Sequence, residues 1–428
     1  MKVQHHPARV RGGKTVQWRR MTESRASILV LNTGSSSIKF ALFPASADAQ
    51  RPLRQLSGSI GGIGGPDAEL SIATADGKRS GDRVVAADHA AAIGQMLDAI
   101  GEHGFAQFKA VGHRIVHGGP DHFEPELVGE PLLADLRRII AFAPEHLPQA
   151  IALIEAMAKR FGSVPQVACF DTAFHKDMPT VARTLPLPRK LGAIGVRRYG
   201  FHGLSYEYLM RELGRVGRPG EAQGRLILAH LGNGASMAAV QHGKPIDTTM
   251  GMTPAGGLVM STRSGDIDPG IVRFLERSQR LSPEQFNRMV NHESGLLGVA
   301  ESTGDMRQLL KLSSSDRRAA QAVELFCYSA RKWIGAFAAA LGGLDTLVFS
   351  GGIGEHQAPV RAQICQGLAF LGIELDPARN TQNAPIITRD GTAVTVRVIP
   401  TDEESTIFRA ILGVLSQGSA KSTTRADS

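Results

Sequence analysis

Leu29-Val-Leu-Asn-Thr-Gly-Ser-Ser-Ser-Ile-Lys-Phe40 leads from an apolar run, Ile28 to Leu31, through a turn of small residues, and out again by way of Ile38, Phe40 and Leu42. Apolar runs bounded by glycine and serine read as a hairpin. Its tip carries hydroxyls, backbone N–H groups, Asn32 and Lys39, but no bulk. Gly34 lets the backbone turn back and approach a ligand closely. Such a nest of N–H groups suits a phosphate. Standing alone, the stretch reads equally well as a serine-rich surface turn.

It does not stand alone. Leu226-Ile-Leu-Ala-His-Leu-Gly-Asn-Gly-Ala-Ser-Met-Ala-Ala-Val240, roughly two hundred residues further on, has the same grammar. A third apolar strand, Thr346 to Ser350, empties into Gly351-Gly-Ile-Gly-Glu355. Two like hairpins in two halves predict a duplicated α/β fold of two domains, with a nucleotide held in the cleft between the copies.

A chain of 428 residues has length for two such domains. No apolar run approaches the length of a membrane span; the longest candidate, Trp333 to Leu341, gives way to Gly342, Gly343 and Asp345. The net charge of +8 points to nucleic acid until it is located. Residues 1–25 hold seven Lys/Arg and the single acid Glu23, a balance of +6 that leaves +2 for the other 403 residues. The globular part is nearly neutral, which argues against a nucleic-acid surface. Residues 1–25 read as a basic disordered extension without the apolar core of a signal peptide. Ala8 to Thr15 fits a loosened P-loop pattern, but His5-His6-Pro7 stands where the motif needs a strand. Cys169, Cys327 and Cys365 are odd in number and widely spaced, which fits a reducing cytoplasm and buried apolar roles.

In chain order, Gly58 to Gly65 reads as a glycine-rich connection and Asp88 to Ile100 as a helix. Ala110 to Gly119 is a short strand burdened with His113, Arg114 and His117. Charges there are costly unless they face a site, a partner or water at an edge. Ala134 to Phe142 and Gln149 to Phe161 have helical spacing. Val167 to His175 reads as the next strand, with Asp171 at its end, where α/β sheets keep their chemistry. Pro179 to Pro188 reads as an irregular linker, and Arg197-Arg-Tyr-Gly-Phe-His-Gly203 as a second cationic cluster. Arg263 lies between hydroxyls and a glycine, a context for an exposed arginine. Ala319 to Leu341 is a long apolar helix, Val394 to Ile399 a last strand, and Thr406 to Leu415 a closing helix before a polar tail.

This inventory is that of phosphoryl transfer. Glycine loops supply phosphate and adenosine contacts, and Arg114, Arg263 and His202 supply positive charge. Asn32, Asp171 and Glu403 are oxygen-bearing residues of the kind that hold or orient Mg²⁺. Kinases of hydroxyl groups usually need a carboxylate base. Several cations converging on the acceptor suit one that is already anionic, such as a carboxylic acid at neutral pH.

The sequence resembles the acetokinase family from Ser27 to about Leu415. The resemblance rests on LNTGSSSIKF (31–40), GHRIVHGG (112–119), CFDTAFH (169–175), RRYGFHG (197–203), HLGNGAS (230–236), STRSGDIDP (261–269), GGIGE (351–355) and IPTDEE (399–404), in family order. It implies an actin-like, sugar-kinase-like fold with mixed sheets and a nucleotide cleft, and commonly a homodimer. It implies domains of 26–171 completed by 404–416, and of 172–403, with 417–428 a polar tail. It further implies Arg114 and Arg263 on the substrate carboxylate and the transferring phosphoryl group, His202 as transition-state stabiliser, and Asp171 as an essential carboxylate acting in positioning. Asn32 and Glu403 would orient Mg²⁺, for which Mn²⁺ would substitute. His230, Leu231, Gly232, Asn233 and Gly234, then Asp305, Met306 and Arg307, then Gly352, Ile353, Gly354, Glu355 and His356 would cradle ATP, with Lys39 near its phosphates. Val116, Phe201 and Pro254 would enclose the acyl group. The chain departs from the family pattern at Glu145, His356, Asp402, Ser261 and Tyr206.

The reaction so implied is reversible phosphoryl transfer from ATP to acetate, with propionate second, in a cytoplasmic enzyme that engages neither nucleic acid nor membrane. The alternatives are a kinase of a longer acid such as butyrate, and a nucleotide-gated binding protein without turnover.

Overall fold

The computed structural model describes residues 26–34, 37–49 and 52–423. Residues 1–25, 35–36, 50–51 and 424–428 lie outside that description.

β1 (Ser27–Thr33) and β2 (Ser37–Pro44) form the first hairpin, with Asn32 directly opposite Lys39. β1 is buried throughout, and Lys39 is the one exposed position of β2. β3 (Leu56–Gly61), β4 (Glu69–Thr74) and β5 (Arg79–Arg83) extend this side of the sheet as an antiparallel meander. On the other side β1 pairs in parallel with β6 (Phe108–Ile115), and β6 with β8 (Gln166–Phe170). The short β7 (Glu126–Leu127) closes that edge.

The second sheet holds β9 (Arg225–Leu231), β10 (Ala235–Gln241), β11 (Lys244–Thr248), β12 (Thr346–Ser350) and β13 (Thr395–Val398), in the order β11-β10-β9-β12-β13. β9, β10 and β11 are antiparallel, whereas β9, β12 and β13 are parallel. The inner strands of the first sheet, β3-β2-β1-β6-β8, repeat this order and sense. The duplication expected from two hairpins is thus a duplication of a five-strand unit, and the expected mixed sheets are present.

Both faces of each sheet are covered at its central strands, which is why those strands read as unbroken apolar runs. Leu29 and Leu31 pack with Met96 and Ile100 of helix His89–Glu102 and with Leu153 and Met157 of helix Leu147–Phe161. Ile28 and Val30 face the opposite way, onto Ile407, Phe408 and Ile411 of the closing helix. Gly112 makes room for that helix: a Cβ there would lie 2.4 Å from Ile411 and 2.6 Å from Ile407. In the second half, helix Arg317–Leu341 buries Phe326, Ile334 and Phe337 in the cluster that holds Ile227 and Ala229. Helix Gly203–Val216 covers the other face through Tyr206, Leu209 and Leu213. It also packs against the closing helix, so these two helices join the halves.

Four expectations need correction. The connection 58–65 begins inside β3, where Gly58 is required because a Cβ would meet Ser71 O at 2.4 Å and the Phe40 ring at 2.5 Å. The linker after Pro179 contains two short helices, Thr180–Arg183 and Arg189–Gly192. The glycine loop after β12 is a helical turn, Gly351–His356. The closing helix starts at Glu403 and runs through Thr423, so much of the expected tail is helical. Among the described residues no helix is long and apolar enough to cross a membrane.

Candidate active site

A cavity of about 960 Å³ opens between the halves, and the ends of both hairpins reach it. It is lined by every predicted site residue except Leu231 and Gly354. Leu231 lies wholly in the second-half core. The carbonyl of Gly354 faces inward, accepting from Arg361 at 2.8 Å.

The first-half wall is a chain of polar contacts at the carboxyl ends of β6 and β8. Arg114 donates from Nε to both oxygens of Asp171 at 3.0 Å and from Nη2 to Oδ2 at 2.5 Å. Its Nη1 donates to Asn32 Oδ1 at 3.0 Å. Asn32 in turn donates from Nδ2 to Glu403 at 2.8 Å and to Glu404 at 3.3 Å. Burial opposes the charge of Arg114, but Asp171 and Glu403 outweigh it and raise its pKa. Burial alone would push the Asp171 carboxyl up, whereas a raised Arg114 presupposes a charged carboxylate beside it. A guanidinium stays protonated in proteins, and a bidentate pair with it decides for the ionised carboxylate. Burial likewise disfavours the Glu403 charge, but Arg114, His230 and Lys39 hold its pKa below the ordinary value. Burial and the charge of Glu403 push neighbouring Glu404 up. Arg54 pairs with Asp402 and reaches Glu404 at 3.4 Å, which anchors the start of the closing helix.

The opposite wall carries His202, His230 and Arg263. His202 has φ +58°, a left-handed conformation that costs a side-chain-bearing residue on the order of 1–3 kcal/mol. Its surroundings fix it there: Nδ1 meets Ser236 Oγ at 2.8 Å, and the ring stacks on His230 at 4.3 Å between centroids. Burial first, then the nearby His230, Arg114 and Arg263, lowers its pKa well below the ordinary value, so the ring is neutral. Burial brings His230 to about 4. Arg263 donates from Nη1 to Pro254 O at 3.0 Å and has no carboxylate partner among the described residues. Burial, then the charge of Arg114, lowers it to about 10. A partly buried arginine without a carboxylate, in the field of a second arginine, is an arrangement that an anion would relieve.

The glycine-rich wall is built differently. A Cβ on Gly234 would lie 3.3 Å from His202 Nε2 and 3.4 Å from Arg263 Nη1, so that position is tightly closed. Asp305 caps helix Met306–Leu312 by accepting from Arg307 N at 2.8 Å, and the Arg307 side chain folds onto it in solvent. The carboxylate of Glu355 is occupied structurally, accepting from Gly351 N at 2.8 Å and Thr401 N at 3.0 Å. His356 is exposed at the rim. Arg361 was not singled out by sequence, yet it is wholly buried and pins this turn. It donates to the carbonyls of Gly354, Glu355 and Asn380 and to the side chains of Asn380 and Asn383.

Val116, Phe201 and Pro254 line the cavity together with His146, which sequence reading missed. Burial, then Arg263 and Arg114, lowers His146 to about 3. Its neighbour Glu145 turns away, with Oε2 3.3 Å from His292 Nε2 in a separate surface hollow beside Pro283 and Arg288. The cationic cluster 197–203 divides. Arg198 donates to the carbonyls of Ala182, Thr248, Thr249 and Met250, and Arg197 lies over the Tyr199 ring. Phe201 and His202 alone of that run reach the cleft.

Comparison with known proteins agrees with this geometry. Residues 27–409 match the model of the acetokinase family. An acetate kinase of Rhodopseudomonas palustris (strain ATCC BAA-98 / CGA009) is 43% identical over 392 residues, covering 90% of this chain and 97% of that relative. The crystal structure of Porphyromonas gingivalis acetate kinase is 34% identical, with a TM-score of 0.80 over 91% of this chain and 100% of that one. That of a propionate kinase from Francisella tularensis subsp. tularensis SCHU S4 is also 34% identical, with a TM-score of 0.83 over 90% of this chain and 98% of that one.

Proposed function

The chain belongs to the acetokinase family, and we infer from this that it transfers a phosphoryl group reversibly between ATP and acetate, with propionate as a second substrate. The observation that carries the reading is a pair of arginines at the cleft, one of which takes up the nearby Asp171 carboxylate. Both Asp171 oxygens are taken up by Arg114, while Arg263 and the remaining N–H groups of Arg114 border the cleft. An acceptor already ionised at neutral pH needs charge neutralisation and alignment, not deprotonation. Asp171 then acts by holding Arg114. Arg114 and Arg263 bind the acetate and the equatorial oxygens of the phosphoryl group. His202 donates a hydrogen bond, and Val116, Phe201 and Pro254 enclose the alkyl group. The backbone of 232–234 and of 351–353, with Lys39, holds the nucleotide.

Mg²⁺ fits the donor set. Among the described residues no cluster of three His, Cys, Asp or Glu side chains is arranged to cage a metal. Glu403, oriented by Asn32, instead offers one carboxylate at the cleft, the usual protein share for an ion that keeps waters and phosphates as its other ligands. When bound, Mg²⁺, or Mn²⁺ in its place, would offset charge on the β- and γ-phosphates. We place domain limits at 26–171 with 404–416, and at 172–403; packing of the closing helix on the first sheet supports this division. A homodimer is supported by helix Gly270–Gln279, which buries none of its residues and exposes Val272 and Phe274. Three free, buried cysteines support a cytoplasmic setting.

Trapping the acyl phosphate with hydroxylamine, with ATP and a panel of acids, tests the reading. Acetate and propionate are expected to give hydroxamate. Product from butyrate alone, or from no acid, would favour one of the two alternatives.

A further inference from the structure

Two imidazoles stack at the cleft, and each has a serine on its Nδ1. His230 Nδ1 meets Ser205 Oγ at 2.8 Å, and Ser205 Oγ meets Thr401 Oγ1 at 2.7 Å. His202 Nδ1 meets Ser236 Oγ at 2.8 Å, and Ser236 Oγ meets the Tyr206 hydroxyl at 2.5 Å. The two chains cross, since Ser236 stands opposite His230 in the second hairpin, while Ser205 and Tyr206 share a helix that begins just after His202.

Their far ends differ. A threonine hydroxyl at the end of the His230 chain leaves its direction open. Tyr206 is wholly buried, and among the described residues Ser236 Oγ is the one hydrogen-bond partner of its hydroxyl. A buried phenol with a single oxygen in reach gives its proton to that oxygen, because an unmade donor in the interior is costly. Ser236, having accepted, gives its own proton to its other neighbour, Nδ1 of His202. That nitrogen is then an acceptor, and the neutral ring carries its proton on Nε2. The Nε2 edge faces Gly234 and the cleft.

We propose that Tyr206 is a positioning residue which, through Ser236, fixes His202 as the Nε2–H tautomer and so makes it a hydrogen-bond donor toward the transferring phosphoryl group. The donor role rests on the phosphoryl-transfer reading above; the tautomer does not. Burial raises the Tyr206 pKa and lowers that of His202, which keeps the phenol protonated and the imidazole neutral. A neutral donor suits this place, because an imidazolium would add a third positive charge beside Arg114 and Arg263. Without the phenol proton, Ser236 is free to accept from Nδ1–H, and the ring loses its fixed direction.

The test is ¹⁵N NMR of the full chain with labelled histidine, using His202→Gln to assign the resonances. In the wild type, His202 is expected to show a protonated Nε2 and an unprotonated Nδ1. Tyr206→Phe should move population to the Nδ1–H form and lower kcat by about tenfold, part of the 10²–10³ that a lost transition-state donor typically costs. The KM for ATP should stay within twofold. Ser236→Ala serves if Tyr206→Phe does not fold, with the same two changes expected. A wild-type ring protonated on Nδ1 overturns the proposal. So does a Tyr206→Phe or Ser236→Ala protein whose tautomer is unchanged or whose kcat stays within twofold. A wild type inactive with every acid overturns the functional reading instead, and the spectrum still decides the tautomer.

Discussion

The two hairpin tips occupy equivalent places in equivalent five-strand units, yet they do opposite things. The first tip is polar and linked. Asn32 ties Arg114 to Glu403, and Lys39 projects from the facing position. The second is tightly closed at its turn, with Gly234 against His202 Nε2 and Arg263 Nη1. One copy of the fold has become an electrostatic relay, and the other a close-fitting surface that lets backbone approach a ligand. The duplication supplies the scaffold; the chemistry resides in what each copy places at its tip.

The largest expected effect is on the cationic wall. Arg263→Ala should lower kcat by about 10³–10⁵, the usual loss when a cation aimed at a transferring phosphoryl group is removed. ATP affinity, measured by equilibrium binding, should change little because the glycine-rich wall is untouched. A variant that keeps a tenth of wild-type turnover would remove Arg263 from the mechanism.

Acid should weaken both halves together. Burial lowers His113 and His117 in the first half, and His175 and His230 in the second, to about 4. In the unfolded chain these rings protonate near the ordinary 6.5, so between 6.5 and 4 the unfolded state binds more protons. Stability is therefore fully present above 6.5 and falls as pH drops through that window, by up to about 1.4 kcal/mol per pH unit for each histidine. The urea midpoint is expected to fall steeply from pH 6.5 to 4.5. A flat midpoint would mean that the rings are hydrated, and two separate transitions would mean that the halves respond independently.

Adding one methyl group to each tip sharpens the contrast. Gly234→Ala places a Cβ against two functional nitrogens, and a shift of a few tenths of an ångström there should lower kcat by about tenfold. At Gly34 the nearest atom is the Ser37 hydroxyl at 3.2 Å, which is able to rotate aside. Gly34→Ala should therefore change kcat by less than about threefold. Equal losses in the two variants would erase the distinction drawn between the tips.

The smallest effect is expected outside the cleft. Glu145 faces His292 in solvent, so Glu145→Leu should shift the acetate KM by less than about threefold, well below the 1.4 kcal/mol of a tenfold change. A tenfold drop in KM would mean that this carboxylate turns toward the substrate.

Much of this was legible in the sequence because it depends on local chemistry. Apolar runs broken by small residues located both hairpins, and polar residues stranded in apolar surroundings located Arg114 and Asp171. What stayed hidden depends on contacts made at a distance. β3 read as a loop because Gly58 looks like a breaker, but the glycine is there for the Phe40 ring. Glu355 sits within a ligand-like motif, yet its carboxylate spends itself on Gly351 and Thr401. Arg198 belongs to the same cationic run as His202, but its guanidinium is drawn to three carbonyls around residue 249. His146 gave no signal, since a lone histidine before Leu147-Pro148 has no pattern to betray it. Arg361 is intelligible only through the five oxygens that surround it.

The central claim is that paired arginines serve an acceptor that needs no base, Asp171 being committed to Arg114. ADP release from ATP, measured with acetate and with ethanol, tests it most directly. Ethanol matches acetate in carbon count but has no ionised oxygen, and its proton would need a base. The account predicts acetate-dependent ADP release and no increase over background with ethanol. Release with ethanol at a rate comparable to that with acetate would contradict it, because a functioning base would then have to lie in the cleft.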